Sequence, residues 1–280
     1  MKITVIGASG FIGRHLVDAL RARGDEIVTT SLRDPSVAAK ASDGSDAIVN
    51  LAGEAVAQRW TPQVRERIRR SRVDAVHALV AALGAVVKRP AAYISASAVG
   101  YYGTSEDATF DENSPPGSDF LADVCVAWEG AADRAALLGM RVAKVRTGLV
   151  LGTDGGALAK LLPIFKLGAG GVVASGRQWY SWIHIDDQVA IYLQALGGVE
   201  GVLNATAPNP VRNRDFTRAL AATLHRPAIF PVPALAVGAL LGDAAAVVTQ
   251  GQRVLPARTI ERGYRFKYET VDSALRALLA

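Results

Sequence analysis

"KITVIGASGFIGRHLVDAL", residues 2–20, is the stretch on which the fold turns. A short apolar run leads into a glycine-rich turn, after which Ile12, Leu16 and Leu20 recur at helical spacing, so the order is strand, turn, helix. Gly7, Gly10 and Gly13 set the turn in a GxxGxxG spacing. Glycines so placed allow a tight turn and a close backbone approach to a pyrophosphate, while the helix that follows offers free amides and the positive end of its dipole. The turn is therefore expected to bind a dinucleotide, with Ser9, Phe11 and Ile12 beside the three glycines.

Outward from there, "EIVTT" (26–30), "DAIVN" (46–50), "AAYISAS" (91–97) and "RVAKVRTG" (141–148) read as further buried strands, with helical segments before each of the last two. Alternating strands and helices imply an α/β fold with a doubly wound parallel sheet of Rossmann type. Only fourteen residues separate Ser31 from Asp46, which predicts a trimmed sheet edge or a short strand and loop at that point. Past Gly152 the texture becomes glycine-rich and aromatic ("GAGGVVASGRQWYSWIHIDD", 168–187), followed by a helix, the strand "GVLNATA" (201–207) and a tail rich in proline and alanine. The expected division is a dinucleotide-binding domain of residues 1–151 with 182–206, and a smaller interleaved C-terminal substrate lobe of 152–181 with 207–280.

Half the residues are hydrophobic and one fifth charged, the balance of an ordinary globule able to bury a core. The chain opens directly on a strand, without a basic start and apolar core of signal-peptide type, and a cytoplasmic protein is expected. The tract "VPALAVGALLGDAAAVV" (232–248) is interrupted by Asp243 and glycines and is shorter than the roughly 20 residues of a membrane span, so a packed helix is expected and no membrane partner. Cys125 is the sole cysteine, which excludes an intrachain disulfide and a cysteine-rich metal site. The net charge of +5 concentrates in "RERIRRSR" (65–72), whose Arg65, Arg67, Arg69 and Arg70 read as a solvated helix face; no nucleic-acid partner is expected, because aromatics are not interleaved with them.

The end of the second strand selects the cofactor. An acidic residue there would bind a ribose hydroxyl and repel a 2′-phosphate, but the sequence is "TTSLRDP" (29–35), in which Ser31 and Arg33 suit a phosphate monoester. NADP(H) is thus the expected cofactor. Arg72 falls on the same i, i+4 line as Val64, Ile68, Val76 and Val80, and a guanidinium facing a core needs an anionic partner, either a carboxylate or the cofactor.

With these residues placed, the chain resembles the extended short-chain dehydrogenase/reductases, and among them the atypical NADP(H)-binding "epimerase family" proteins of the YfcH type. The resemblance runs through GASGFIG (7–13), NLAGE (50–54), SRV (71–73), SASAVGYYG (95–103), VCVAWE (124–129), RTGLVLG (146–152), SWIHIDD (181–187), LNATAPNPV (203–211) and GQRVLP (251–256). It implies that Ser31, Leu51, Ala52 and Arg72 line the cofactor, and Gly53, Ser95, Gly148 and Val150 of the same motifs are counted with them. Leu32 stands where the family usually has an arginine, displaced here to Arg33, and the C-terminal region belongs to a part the family label leaves uncharacterised.

Ordinary members of that superfamily hold the substrate oxygen with a serine and exchange its proton with a tyrosine, activated by a lysine one helical turn on. Ser97 matches the serine, but Cys125 and Glu129 occupy the other two places. A carboxylate near a phenol opposes its ionisation. The nearest replacement phenols are Tyr101 and Tyr102, on the loop after Ser97 at the carboxyl edge of the sheet. A neutral tyrosine can still protonate an oxyanion, which favours reduction over alcohol deprotonation. Glu129 is either a general acid or base, or the ionic partner of Arg72 or Arg146; His184 either touches substrate or caps the helix beginning near Asp186. Cys125 in an apolar helix is expected to be inert. His15, His77 and His225 have no partner constellation, and no grouping has metal-ligand spacing. The expected activity is NADP(H)-dependent reduction of a carbonyl on a small-molecule substrate; the alternatives are a non-catalytic NADP(H)-binding sensor or scaffold and, third, a sugar-nucleotide epimerase.

Overall fold

Residues 2–20 fold as their pattern implies in a computed structural model that describes residues 1–280. Strand β1 (Lys2–Ile6) passes through the glycine turn into helix α1 (Phe11–Ala22), whose Leu16 and Leu20 are fully buried. The chain continues through β2 (Glu26–Thr30), α2 (Pro35–Ala41), β3 (Ala47–Asn50), α3 (Pro62–Leu83) and β4 (Ala92–Ala98). A 3-10 turn (Val99–Tyr102), the short β5 (Thr109–Phe110), α4 (Phe120–Asp133) and β6 (Arg141–Thr147) follow. With β10 (Gly201–Ala205) at one edge, the main sheet has six strands in the order β10-β6-β4-β3-β1-β2, and every pairing in it is parallel. β3 and β4 cross to one side of β1 while β2 lies on the other. The order therefore reverses at β1, the kind of switch point where open α/β sheets take their ligands.

Both faces of the sheet are covered, which is why its strands are apolar throughout and do not alternate. One face packs Ile3, Val5, Val49, Ile94 and Val145 against Leu16, Val17 and Leu20 of α1, and against Ile191 and Tyr192 of a helix described below. The other packs Ile6, Ile48, Tyr93 and Val142 against Val73, Val76 and Leu79 of α3 and Trp128 of α4. Between Ser31 and Asp46 no strand forms and the sheet ends at β2, so of the two expected alternatives the trimmed edge holds and the strand and loop does not; a helix fills the connection. Asp34 accepts hydrogen bonds from the amides of Ser36 and Val37, Pro35 occupies the first turn, and the two-turn α2 buries Ala38 and Ala39. A capping side chain and a proline with preset φ are enough to start a helix in so short a connection.

The second layer of the molecule begins at β7 (Leu149–Leu151) and α5 (Gly156–Lys166), then β8 (Trp179–Tyr180), β9 (Trp182–His184) and α6 (Ile185–Leu196), the helix that carries Ile191 and Tyr192. After β10 come β11 (Val211–Arg212), α7 (Asn213–Leu224), α8 (Ala234–Leu241), α9 (Ala246–Thr249), β12 (Arg253–Val254), α10 (Ala257–Glu261) and α11 (Val271–Leu279). Leu158, Leu162, Phe165, Trp182, Phe216, Leu220, Val271 and Leu275 form its core. It holds three small sheets: β7 with β9 and β8 with β11 lie within this layer, and β5 with β12 joins it to the first. The tract 232–248 corrects the expectation of one packed helix. It breaks at Gly242, whose φ is +59°, and α8 leaves Leu235 and Leu240 86% and 72% exposed. No helix is long and apolar enough to cross a membrane.

Candidate functional site

The glycine turn is built for close approach. Gly7 has φ +84°, and a Cβ there would come within 3.0 Å of Leu51 and Ala52 backbone atoms; a Cβ on Gly13 would lie 2.3 Å from the Gly7 carbonyl oxygen. Helix α1 starts at Gly10 with no side chain capping its first turn. An uncapped helix start facing a side-chain-free cradle fits the pyrophosphate of a dinucleotide. Leu51 and Ala52 form the adjoining wall, fixed because Asn50 accepts from the Ala52 amide at 3.1 Å while donating to the Tyr93 hydroxyl at 2.9 Å.

Phe11 has a role the sequence did not disclose. Its ring fills the space left by three glycines of the loop "GTDGG", residues 152–156: a Cβ on Gly152, Gly155 or Gly156 would meet the ring at 2.6, 2.5 or 3.0 Å. The Arg14 guanidinium and the His15 imidazole both reach Asp154, at 3.2 and 3.1 Å, and Arg14 also donates to the Ser9 carbonyl. The loop thus lies across the start of α1, beside the cradle.

At the end of β2, the Ser31 hydroxyl accepts from the Arg33 amide at 3.2 Å and Leu32 turns into the core. Asp34, next along, is engaged in capping α2. Arg33 lines an open hollow of about 370 Å³ together with Ser71, Arg67 and Arg70. Arg67 and Arg70, read from sequence as solvated, therefore face the same hollow as Arg33; their spacing of three on α3 was the available signal. Arg67 and Arg70 stand 3.7 and 3.9 Å from Glu54 and Asp74, exposed pairs of little energetic weight. Arg72 lies against Gly53, where a Cβ would be 2.8 Å from its Cζ, and its Cζ sits 5.2 Å from the centre of the Trp128 ring. Burial pushes its guanidinium below the ordinary arginine value, with the fields of Cys125 and Glu54 acting the other way. Its hydrogen bonds go to the Ile68 carbonyl at 3.4 Å and the Ser71 hydroxyl at 3.5 Å; of the two expected kinds of partner, no carboxylate pairs with it.

Four residues placed in the site turn inward. Ser95 is 1% exposed and donates to the Ala96 carbonyl, and Val150 belongs to the core. Gly148 is needed where it packs against β9's approach, since a Cβ there would lie 2.1 Å from the Ser181 carbonyl oxygen. His184 is a correction to the substrate-contact reading: its Nδ1 accepts from the Asp186 amide at 3.0 Å, capping α6, and its ring stacks 3.9 Å from that of Tyr268. Burial holds the imidazole below its ordinary pKa, although Asp186 and Asp187 favour the charged form.

The would-be catalytic residues form one buried network. The Ser97 hydroxyl donates to Glu129 Oε1 at 2.7 Å, and Arg146 grips the same carboxylate with Nε at 2.7 Å and Nη2 at 2.8 Å. Arg146 Nη1 donates to the Tyr102 hydroxyl at 2.9 Å, which itself donates to Asn204 at 2.8 Å. Burial opposes the charge of Arg146, but the bonds and field of Glu129 and Tyr102 outweigh it and hold its pKa above the usual arginine value. Two expectations fail here. Glu129 is no free acid or base, because both oxygens are engaged; of its two foreseen cationic partners it takes Arg146 and not Arg72. Tyr102 is 2% exposed with its hydroxyl committed, and burial pushes it up to about 12, so it cannot be the proton donor. Cys125 is 4% exposed, and burial, then Glu129, pushes its thiol up to about 12, which lowers its thiolate character. Tyr101 is left: partly exposed, its hydroxyl bonded to no protein group, its ring against Arg146 with Cζ 3.3 Å from the centroid.

Comparison with known proteins places this geometry among relatives. Residues 3–205 match the model of the NAD-dependent epimerase/dehydratase family, and residues 232–278 match a domain of unknown function, DUF1731. The chain is 46% identical to the Arabidopsis thaliana protein described as epimerase family protein SDR39U1 homolog, chloroplastic, over 100% of this chain and 87% of the relative. It is 34% identical to the epimerase family protein YfhF of Bacillus subtilis (strain 168), over 100% and 98% of the two chains. Among solved structures, human epimerase family protein SDR39U1 with NADPH superposes with a TM-score of 0.92 at 34% identity, covering 100% of this chain and 99% of that one.

Proposed function

The chain belongs to the NAD-dependent epimerase/dehydratase family, and on that footing we propose that it is an NADP(H)-dependent oxidoreductase that reduces the carbonyl of a small organic substrate. Within the family the ordered motifs favour the YfcH type. NADP(H) is supported by the cradle at Gly7, Gly10 and Gly13, by Ser31 at the end of β2, by Arg33, Arg67 and Arg70 around the hollow beyond it, and by the human relative crystallised with NADPH. Arg72, half-buried and without a carboxylate partner, suits an anionic group of the same cofactor. When bound, the cofactor supplies the hydride that reduces the carbonyl carbon.

The observation that carries the reductive direction is the state of the network after Ser97. Its hydroxyl proton is directed at Glu129, and Tyr102 is committed, so Tyr101 is the one phenol of the pair with a hydroxyl left to give. Tyr101 donates its proton to the oxygen that becomes negative as hydride arrives, and its partly exposed ring lets water return the proton. Ser97, 3% exposed and with its own proton held by Glu129, has no proton to give to a carbonyl. No free base stands ready to strip an alcohol, which disfavours oxidation and epimerisation through a keto intermediate. NADPH oxidation over a panel of aldehydes and ketones tests this: turnover that disappears in Tyr101→Phe supports the reading, and a flat baseline across the whole panel sinks it.

A second reading has its own observation, the replacement of the helical tyrosine and lysine by Cys125 and Glu129. It makes the protein a cofactor-binding sensor or scaffold. NADPH binding without turnover, together with a partner retained in only one redox state of the cofactor, is its signature. We place the protein in the cytoplasm, where a lone buried thiol such as Cys125 stays reduced; cell fractionation checks this.

A further inference from the structure

Glu129 and Arg146 form an ion pair whose side chains are only 8% and 4% exposed. Desolvating two charges is costly, and well-packed apolar residues of similar volume usually serve stability as well or better. The pair therefore calls for a purpose beyond holding the fold. Its geometry supplies one. Each nitrogen of the guanidinium makes a hydrogen bond: Nε and Nη2 to Glu129, Nη1 to the Tyr102 hydroxyl. On its flat face lies the ring of Tyr101, whose centre is 3.3 Å from Cζ.

We propose that Arg146, clamped by Glu129, is the positioning residue of the site: a cationic platform that fixes the ring of Tyr101 and faces the negative charge left there as the proton departs. The proposal rests on the reading of Tyr101 as the proton donor. It explains the inverted charge at position 129. The helix contributes the anion, Glu129 from α4, and the neighbouring strand β6 contributes the cation, Arg146, which approaches the phenol through its face and not from one helical turn away. It also explains why Ser97 is tied to the same carboxylate oxygen as Arg146 Nε: one anion holds both the platform and the serine. Planarity is essential, because a guanidinium can stack and donate three in-plane bonds at once, whereas an ammonium has the charge without the face.

The discriminating variant is Arg146→Lys, which keeps the charge that compensates Glu129 and so keeps the folding requirement met. On the best carbonyl substrate of the panel, kcat is expected to fall by about 10- to 100-fold, as for other sub-ångström losses of alignment, with KM for NADPH and carbonyl within about twofold. A KM that rises while kcat holds, or an unchanged kcat, overturns the proposal. A second measurement does not need turnover. In protein labelled with 3-fluorotyrosine, the ¹⁹F resonance of Tyr101, identified by its loss in Tyr101→Phe, is expected to sit away from the free amino acid and to move toward it in Arg146→Lys, recorded well below the Tm of that variant. If the resonance ignores the substitution, Arg146 does not hold the ring. If no carbonyl is reduced by the unaltered protein, the proton-donor reading has failed first; a resonance that still responds then shows a packing role, and the catalytic assignment of Arg146 falls with it.

Discussion

Two adjacent tyrosines illustrate what a single residue decides here. Tyr101 and Tyr102 are equivalent in sequence, but in a 3-10 turn successive side chains point in different directions, and neither periodicity nor composition tells which one enters the interior. Tyr102 is the buried one, so Tyr102→Phe strips a hydroxyl from Asn204 and Arg146 and is expected to cost about 1–3 kcal/mol, read as a Tm lower by several degrees. Tyr101→Phe removes no protein hydrogen bond. It is expected to leave Tm nearly unchanged while lowering carbonyl reduction by about 10²- to 10⁴-fold; the reverse pattern of Tm and turnover between the two variants defeats the assignment. The glycines can be sorted the same way. Gly13→Ala drives a Cβ to 2.3 Å from the Gly7 carbonyl oxygen and is expected to abolish NADPH binding and destabilise the fold, whereas Gly130→Ala, in α4 with nothing within 4 Å of its Cβ, is expected to stabilise by about 0.5–1 kcal/mol through helix propensity. Fluorescence titration with NADPH and thermal melts of the two variants check this contrast.

Single elements show where sequence reading succeeds and where it stops. The strands of the sheet were legible because each is a short apolar run bounded by turn residues, and α1 because its apolar positions recur at helical spacing. Helix α2 was missed because its start signal, Asp34 with Pro35, lies in a connection that looked too short to hold a helix. Apolar content alone suggested that 232–248 packs inward, yet composition does not say what a helix packs against, and α8 keeps most of its surface outside. The cofactor cradle was legible for a related reason: its glycines serve local geometry. The loop 152–156 was not, since its meaning lies in a contact with Phe11 far away in sequence. His184, whose capping role was one of two readings, gives α6 a pH-sensitive N-terminus. Burial sets its folded pKa below the unfolded value of about 6.5, with Asp186 and Asp187 in partial opposition. As pH falls through that value the unfolded chain takes up the proton first, so this contribution to stability is whole above about 6.5 and declines below it. Protonation also turns Nδ1 from the acceptor of the Asp186 amide into a donor. Melts of the parent and of His184→Asn, which keeps a capping acceptor but does not titrate, are expected to diverge as pH is lowered from 7 to 5; parallel curves mean that other groups set the acid limit.

At the scale of the molecule, two buried carboxylates join the sheet to the C-terminal region, and the two are expected to unfold together. Glu112, 6% exposed, accepts from the Asn204 amide of β10 at 3.0 Å and from the amides of Arg258 and Thr259 at the start of α10, at 3.0 and 3.3 Å. Asp187, 1% exposed, lies on α6 and accepts from the Tyr264 hydroxyl at 2.7 Å and from the amides of Lys267 and Tyr268 at 2.8 and 3.1 Å. In each case the acid comes from the segment before residue 205 and most of its donors from the segment after 257, so separating the two segments leaves a buried anion unpaired. Breaking such an arrangement costs more than the arrangement contributes when intact. The residues 232–278 that match a domain of unknown function are thus expected not to unfold as an independent domain. Calorimetry should give a single transition, and NADPH at about 100 times its Kd should raise the whole of it by about 2.7 kcal/mol in stability. Glu112→Gln places an amide donor against backbone donors and loses charge-assisted bonds worth about 1.5–3 kcal/mol each, so it should lower that one transition without splitting it. Two transitions, of which NADPH moves only the first, would instead mean that the sheet and the C-terminal region fold apart, and that the substrate side of the site is assembled by docking and not by folding.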